Sequence, residues 1–164
     1  MLGAELPSVA ESERAMLDLV LAVLHHLLIL SMAGLLATEL VLVRPGVGGP
    51  SLTTLALIDA GYGATATLVL VVGASRVFFG AKGSAFYLEN PVFWAKIAAF
   101  AMVGVLSAWP TLAFFKWRKQ AKADLAFAPS TDEVARIRRL MGLELAVFAL
   151  IPIFAAAMAR GYGL

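Results

Sequence analysis

Four long apolar segments dominate the chain, and short polar stretches separate them. The segments lie at about 16–43, 52–79, 92–115 and 138–159. A transmembrane α-helix takes about 20 predominantly apolar residues, so each segment is long enough to cross a bilayer. The alternation of apolar and polar residues that a transmembrane barrel needs is absent. The pattern therefore predicts an all-α fold, an integral membrane four-helix transmembrane bundle, with residues 1–164 in a single domain.

Helix-start signals stand before three of the predicted helices. Ser8 with Glu11, and Ser130 with Glu133, have the spacing of a capping box. Asn90 is followed directly by a proline, an order that suits a cap residue before the first helical turn. Each of these signals predicts that a helix begins just after it.

The composition agrees with a membrane protein. Hydrophobic residues make up 61% of the chain and charged residues 15%, against about 45–50% and about 25% in soluble chains. The chain has no cysteine, which excludes disulfides, iron–sulfur clusters and thiolate metal sites. A net charge of +2 is too small to indicate nucleic acid as a partner. The expected partner is the lipid bilayer.

Lysine and arginine are distributed unevenly over the two ends of the predicted bundle. The end with the first turn and the last interhelical loop holds eight: Arg44, Lys116, Arg118, Lys119, Lys122, Arg136, Arg138 and Arg139. The other end holds five: Arg14, Arg76, Lys82, Lys96 and Arg160. By the positive-inside rule we expect the first end to be cytoplasmic and both chain termini to lie on the outer side.

The first predicted helix carries a stripe of residues spaced by seven. Asp18, His25, Met32 and Glu39 form this stripe, because a step of seven residues turns a helix by only about 20° from full register. His26 is turned by about 100° from His25. We therefore expect His25 to face the interior of the bundle and His26 to contact a neighbouring helix or a second subunit.

Ionisable groups at membrane depth are costly and are usually functional. Sorted by depth, the polar residues of the predicted helices form two zones. The outer zone contains Asp18, His25, His26, Arg76, Lys82, Tyr87 and Lys96. The cytoplasmic zone contains Glu39, Asp59 and Glu144.

The outer zone combines an imidazole with several cations, which is the chemistry that holds a haem. An imidazole nitrogen can ligate the iron, and Arg or Lys groups can pair with the propionates. His25 and His26 are the candidate metal ligands, but adjacent residues of one helix cannot clamp an iron from both sides. The sixth ligand is then Lys96, Met32, water or a group from a second subunit. The predicted cofactor-binding residues are His25, His26, Met32, Arg76, Lys82, Tyr87 and Lys96.

The cytoplasmic zone supports a different function, that of a small transporter or channel. Glu39, Asp59 and Glu144 would then form a proton or cation path through the bundle. The histidines, which titrate near neutral pH, would gate that path. A structural or accessory subunit is the third class of function that the pattern leaves open.

Two stretches carry a family resemblance: LHHLLILSMAGLLATELVLVR, and GASRVFFGAKGSAFYLENPVFWAKIAAFAMVGVLSAWPTLAFFKWRK. They resemble an uncharacterised bacterial family of small predicted membrane proteins with no settled activity. The resemblance extends over nearly the whole chain. It implies a multi-pass protein of the bacterial inner membrane.

More distantly, the chain resembles the four-helix, haem-binding protoporphyrinogen oxidase of bacterial membranes. That family has a functional histidine before a Met-Ala-Gly-Leu stretch, which is similar to Met32–Leu35 here. It also has a tryptophan shortly before a functional lysine, similar to Trp94 and Lys96. The resemblance implies that Lys96, as catalytic residue, and His25 or His26 form a tetrapyrrole site.

The chain also departs from that oxidase pattern. After the Ala-Gly pair the oxidase has Pro-Arg, whereas this chain has Thr38 and Glu39, so that an anion stands in place of a cation. The difference bears on enzymatic activity more than on a haem site. The sequence thus predicts a homodimeric, haem b-binding membrane protein of oxidoreductase or electron-transfer type, acting on a tetrapyrrole or a quinone.

Overall fold

The computed structural model describes residues 8–163, and those residues form helices, turns and loops without any strand. Its six helices are α1 (Val9–Leu42), α2 (Pro50–Phe79), α3 (Gly83–Leu88), α4 (Pro91–Ala123), α5 (Thr131–Phe148) and α6 (Leu150–Ala159). Four spans are long and apolar enough to cross a membrane: α1, α2, α4, and α5 together with α6. The predicted all-α fold with four transmembrane helices is confirmed.

The predicted cap residues lie where the helices begin. The Ser8 side chain accepts from the Glu11 backbone N–H, and Glu11 Oε2 accepts from the Ser8 backbone N–H at 2.8 Å, which completes a capping box. The Ser130 hydroxyl accepts from the Glu133 backbone N–H at 3.2 Å. The Asn90 side chain caps α4 in the same way. Each cap satisfies a backbone N–H that the first helical turn leaves without a partner.

Three helix ends extend past the predicted apolar segments. α1 begins at Val9 instead of 16, α5 begins at Thr131 instead of 138, and α4 ends at Ala123 instead of 115. The apolar pattern marks only the part of a helix that suits hydrocarbon, whereas the caps determine where the helix begins. At 1.5 Å per residue, α1 is about 50 Å long, beyond the hydrocarbon core of about 30 Å.

Two local features differ from the predicted pattern. The sequence favours a loop from Gly80 to Asn90, but the short helix α3 lies within it. Pro152 is predicted in the middle of the last helix, and the structure divides that helix between Phe148 and Leu150. Proline has no N–H to donate to the carbonyl four residues earlier, here that of Phe148, which explains why the helix is interrupted at this point.

Successive long helices run in opposite directions and pack side by side. α1 packs along α2, α2 on α4, α4 on α5 and α6, and α5 on α1. The start of α1, the end of α6 and helix α3 therefore lie at one end of the bundle, here called the terminal end. The α1–α2 turn and the α4–α5 connection lie at the other end, here called the loop end. Within residues 8–163, no Cα of α1 lies within 8 Å of one in α4 or α6. The N-terminal half of α1 consequently packs on α2 alone.

The apolar core lies mainly in the half of the bundle nearest the loop end. Its largest fully buried side chains are Trp117, Phe114, Met32, Leu36, Leu52, Leu55 and Met141. A smaller cluster at the terminal end contains Val77, Tyr87, Phe93 and Met158. The apolar side chains of the N-terminal half of α1 are mostly exposed, as with Leu19 at 63%. A bilayer would cover this surface with lipid.

At the loop end, an arginine of α5 joins that helix to the end of α1. Arg138 donates from Nη1 to the carbonyl oxygens of Leu40, at 2.8 Å, and Val43. The last turn of a helix leaves carbonyls without intrahelical donors, and α1 has no basic residue there. The α1–α2 turn also approaches the α4–α5 connection closely, since a Cβ on Gly48 would lie 3.1 Å from the Phe127 carbonyl oxygen.

Replacing Arg138 is expected to loosen this attachment. Arg138→Met keeps an unbranched side chain but removes the donor, and we expect the free energy of unfolding to fall by about 1 kcal/mol. Thermal unfolding of detergent-purified protein, followed by circular dichroism, measures the change. Arg139→Met is the matched control, because Arg139 is exposed on the same helix and has no hydrogen bond to α1 within residues 8–163. Equal losses in both variants would contradict the role of Arg138.

Candidate functional site

Three buried carboxylates from three helices meet in the half of the bundle nearest the loop end. Glu39 of α1 is 2% exposed, Asp59 of α2 is 5% exposed and Glu144 of α5 is 1% exposed. Glu39 lies within electrostatic range of the other two. These three residues, here the carboxylate cluster, are the cytoplasmic zone that the sequence predicts.

Helical periodicity explains why these side chains are buried. On α1, Glu39 follows the buried Met32 and Leu36 at steps of four and three residues. On α5, Glu144 follows the buried Ile137 and Met141 at the same steps. The carboxylates thus occupy positions that the helical pattern otherwise fills with apolar residues. Because these positions face the core, the side chains are buried there.

Two hydroxyl groups donate hydrogen bonds to the carboxylate cluster. Tyr62 donates to Glu144 Oε1 at 2.7 Å, and Thr111 of α4 donates to Asp59 Oδ1 at 2.7 Å. Oε1 of Glu39 is buried and has no hydrogen-bond partner among residues 8–163. The three acids therefore differ in environment: two have a hydroxyl donor, and Glu39 has none.

The carboxylate cluster has no counter-charge in the part of the chain that the structure describes. The ion pair in that part joins Lys116 and Glu133 at 3.5 Å near the loop end. Arg138 donates to backbone carbonyls instead of to an acid. No three His, Cys, Asp or Glu side chains within residues 8–163 are arranged to hold a metal ion.

His25 is the polar centre of the terminal half. It is half-buried, its Nδ1 is buried without a partner, and its ring packs on α2, where a Cβ on Gly73 would lie 3.2 Å from Cε1. Arg76 and Lys96 lie within electrostatic range of the ring. Nε of Arg76 is also buried without a partner, and Lys96 Nζ lies 4.9 Å from the centre of the Phe93 ring.

His26 has a different environment from its neighbour. It is exposed on the surface of α1, and its Nδ1 lies 2.6 Å from the Ala22 carbonyl oxygen. The two imidazole rings are 6.4 Å apart and nearly perpendicular. The seven-residue stripe thus has the orientation predicted for it, with His25 towards α2. His26 is exposed instead of packed against a neighbouring helix, and its contact with a second subunit stays a prediction.

Three other predicted cofactor-binding residues, Met32, Lys82 and Tyr87, do not lie beside His25. Met32 is buried in the main core, with 1% of its surface exposed. It lies about 10 Å from His25 along α1. Lys82 is exposed, with Nζ 4.4 Å from the centre of the Phe86 ring. Tyr87 is buried near Arg76 and Asp18, and burial raises the pKa of its phenol. The structure therefore brings together His25, Arg76 and Lys96 from the predicted set.

Sequence reasoning missed the two hydroxyl groups of the carboxylate cluster. The sequence pattern assigns Tyr62 no role, but the residue is 3% exposed and hydrogen-bonded to Glu144. A signal for it was present, because Tyr62 follows Asp59 by three residues and so shares its face of α2. Thr111 follows Pro110 on α4, and its position beside Asp59 comes from helix packing that the sequence pattern does not show.

The fold and these buried polar groups define a four-helix membrane protein with ionisable side chains in its interior. The chain belongs to the family described as "Predicted membrane protein (DUF2214)", whose pattern matches residues 17–163. No curated protein and no solved structure matches the chain.

The donor set around His25 fits a haem in part. The chain offers one interior imidazole, with cations at Arg76 and Lys96 that could neutralise two propionates. Histidines that ligate a metal usually donate their other N–H to a carboxylate or carbonyl, whereas Nδ1 of His25 has no such partner. One axial ligand and two propionate partners are thus available from α1, α2 and α4.

Proposed function

We propose that the protein binds haem b at His25 and serves in oxidoreduction or electron transfer. The observation that carries this proposal is the environment of the imidazole. His25 faces α2 with a buried, unpartnered nitrogen, and the cations of Arg76 and Lys96 lie within electrostatic range. A half-buried imidazole beside two cations suits a dianionic ligand that carries a metal.

Access to His25 also supports the proposal. The N-terminal half of α1 packs on α2 alone, and His25 is only half-buried there, so part of its side chain is open to the bilayer. A flat, apolar ring could therefore reach the imidazole from the lipid side, while its carboxylates pair with Arg76 and Lys96. When bound, haem would supply one-electron chemistry at its iron.

The residues of the chain would then have separate roles. His25 would hold the iron, and Arg76 would neutralise a propionate. Lys96, half-buried on α4, would orient the ring and exchange a proton with a tetrapyrrole substrate. The resemblance to protoporphyrinogen oxidase supports a tetrapyrrole as substrate, and a quinone is the electron acceptor expected in a membrane.

We also propose a quaternary structure and a location. His26 is exposed on α1, where a second copy of the chain in a homodimer could contact it. The excess of lysine and arginine at the loop end supports a cytoplasmic loop end and outer termini. We accordingly propose the bacterial inner membrane, with the haem in its outer half.

An absorption spectrum tests the proposal. The full chain is produced in haem-replete cells, purified in detergent, and examined for a Soret band that elutes with the protein. We expect about one haem per chain. Lys122→Ala, a change on the exposed surface of α4, should leave the band unchanged. Haem-replete protein without a Soret band would overturn the proposal.

A further inference from the structure

The carboxylate cluster raises an electrostatic question that the haem proposal leaves unanswered. Three carboxylates, each at most 5% exposed, would carry three negative charges if all were ionised. No lysine or arginine pairs with any of them within residues 8–163. A buried charge is tolerated when it is paired or when it is neutralised, so the cluster has to take up positive charge from solution.

The hydrogen bonds indicate which acid receives that charge. A hydroxyl donor stabilises the ionised form of a carboxylate, and such donors reach Asp59 and Glu144 at 2.7 Å. Within residues 8–163 no donor reaches Glu39: the residue is 2% exposed, and its Oε1 is buried without a hydrogen-bond partner. The neutral acid is therefore favoured at Glu39 more than at the other two positions.

We propose that the carboxylate cluster is a proton-binding site of the membrane interior and that Glu39 carries the proton. The titratable groups within electrostatic range of Glu39 are Asp59 and Tyr62 of α2 and Glu144 of α5, and Thr111 of α4 bonds to Asp59. The hydroxyls of Tyr62 and Thr111 point at carboxylate oxygens, so they act as donors to anions. The acids are not arranged to share a metal ion, which favours the proton over a multivalent cation.

A protonated Glu39 would give the chain a proton-exchange function beyond haem binding. It lies on the same stripe of α1 as His25, 14 residues away, or about 21 Å along the helix. The two sites are therefore separate, and Glu39 would exchange its proton with the loop side of the bundle. This inference does not depend on whether a haem binds at His25.

Infrared spectroscopy tests the proposal on purified, full-length protein. A protonated carboxylic acid has a C=O stretch that is separate from the amide bands and shifts in D₂O. We expect this band at neutral pH in the wild type, a weaker band in Glu39→Gln, and an unchanged band in Glu133→Gln, whose acid is near the surface beside Lys116. The band should also persist in His25→Ala, so a failure of the haem proposal is distinguishable from a failure of this one.

Several results would overturn the proposal. A spectrum without the acid band at neutral pH would show that all three carboxylates are ionised, and a band that persists in full in Glu39→Gln would place the proton elsewhere. Loss of the band on adding Na⁺ at constant pH would identify a cation as the ligand. Glutamine is the neutral isostere of protonated glutamate, so a Glu39→Gln protein that fails to fold would also contradict the proposal.

Thermal unfolding gives an independent measurement. If Glu39 is protonated in the folded protein, raising the pH forces the wild type either to ionise a buried acid or to unfold. Glu39→Gln has no such proton to lose. A glutamate in the unfolded chain ionises above about pH 4, so above that pH the wild type has to take up a proton to fold. We therefore expect equal melting temperatures below about pH 4 and a falling melting temperature of the wild type, relative to Glu39→Gln, as the pH rises above it. Parallel curves over the whole range would contradict the assignment to Glu39.

Discussion

His25→Ala is expected to abolish the Soret band of the purified protein, and His26→Ala is expected to leave it in place. The reason is the orientation of α1. His25 packs towards α2 at Gly73 and has a buried nitrogen without a partner. His26 is exposed and bonded to the carbonyl of its own helix, so its loss removes a local contact only. Absorption spectra of oxidised and reduced protein measure both effects.

Protein yield and elution volume serve as the control for both histidine variants. Each should elute like the wild type, because neither imidazole belongs to the fully buried core. A spectrum that survives His25→Ala and disappears in His26→Ala would place the iron on the outer surface of α1, against a second subunit. That result would contradict the role assigned to the interior imidazole.

The amino-acid pattern predicts much of the fold because the membrane restricts the choices. Only helices satisfy their own backbone in hydrocarbon, so four apolar segments of sufficient length lead directly to four spanning helices. The predicted caps at Ser8, Asn90 and Ser130 lie at the observed helix starts. The seven-residue stripe of α1 also has the predicted orientation, since periodicity along one helix is a local property.

The contacts between helices could not be predicted in the same way. Which side of α4 meets α2 depends on packing between distant segments, and this packing places Thr111 beside Asp59. Tyr62 could not be assigned to the cluster, because depth alone does not distinguish a tyrosine at the lipid surface from one inside the bundle. The predicted outer zone was too broad for a related reason: Lys82 lies beyond the end of α2 and is exposed.

Gly73→Leu is expected to remove most of the Soret absorbance without unfolding the protein. Even a Cβ at this position would lie 3.2 Å from Cε1 of His25, so a leucine has to push the imidazole out of its place. Gly63→Leu is the matched control on the same helix, because a Cβ there meets nothing within 4 Å. Both substitutions raise helix propensity by up to about 1 kcal/mol, which cancels in the comparison.

Gly73→Ala distinguishes displacement of the imidazole from a general disturbance of α2. A single methyl group requires the ring to move by only a few tenths of an ångström, and so we expect a shifted Soret band with most of its intensity retained. The series Gly, Ala and Leu should therefore give graded spectra at position 73 and constant spectra at position 63. If the haem is held at His26, both series will leave the spectrum unchanged, because His26 points away from the bundle and position 73 does not touch it. A graded loss at 73 would thus identify the ligand even in protein that contains both histidines.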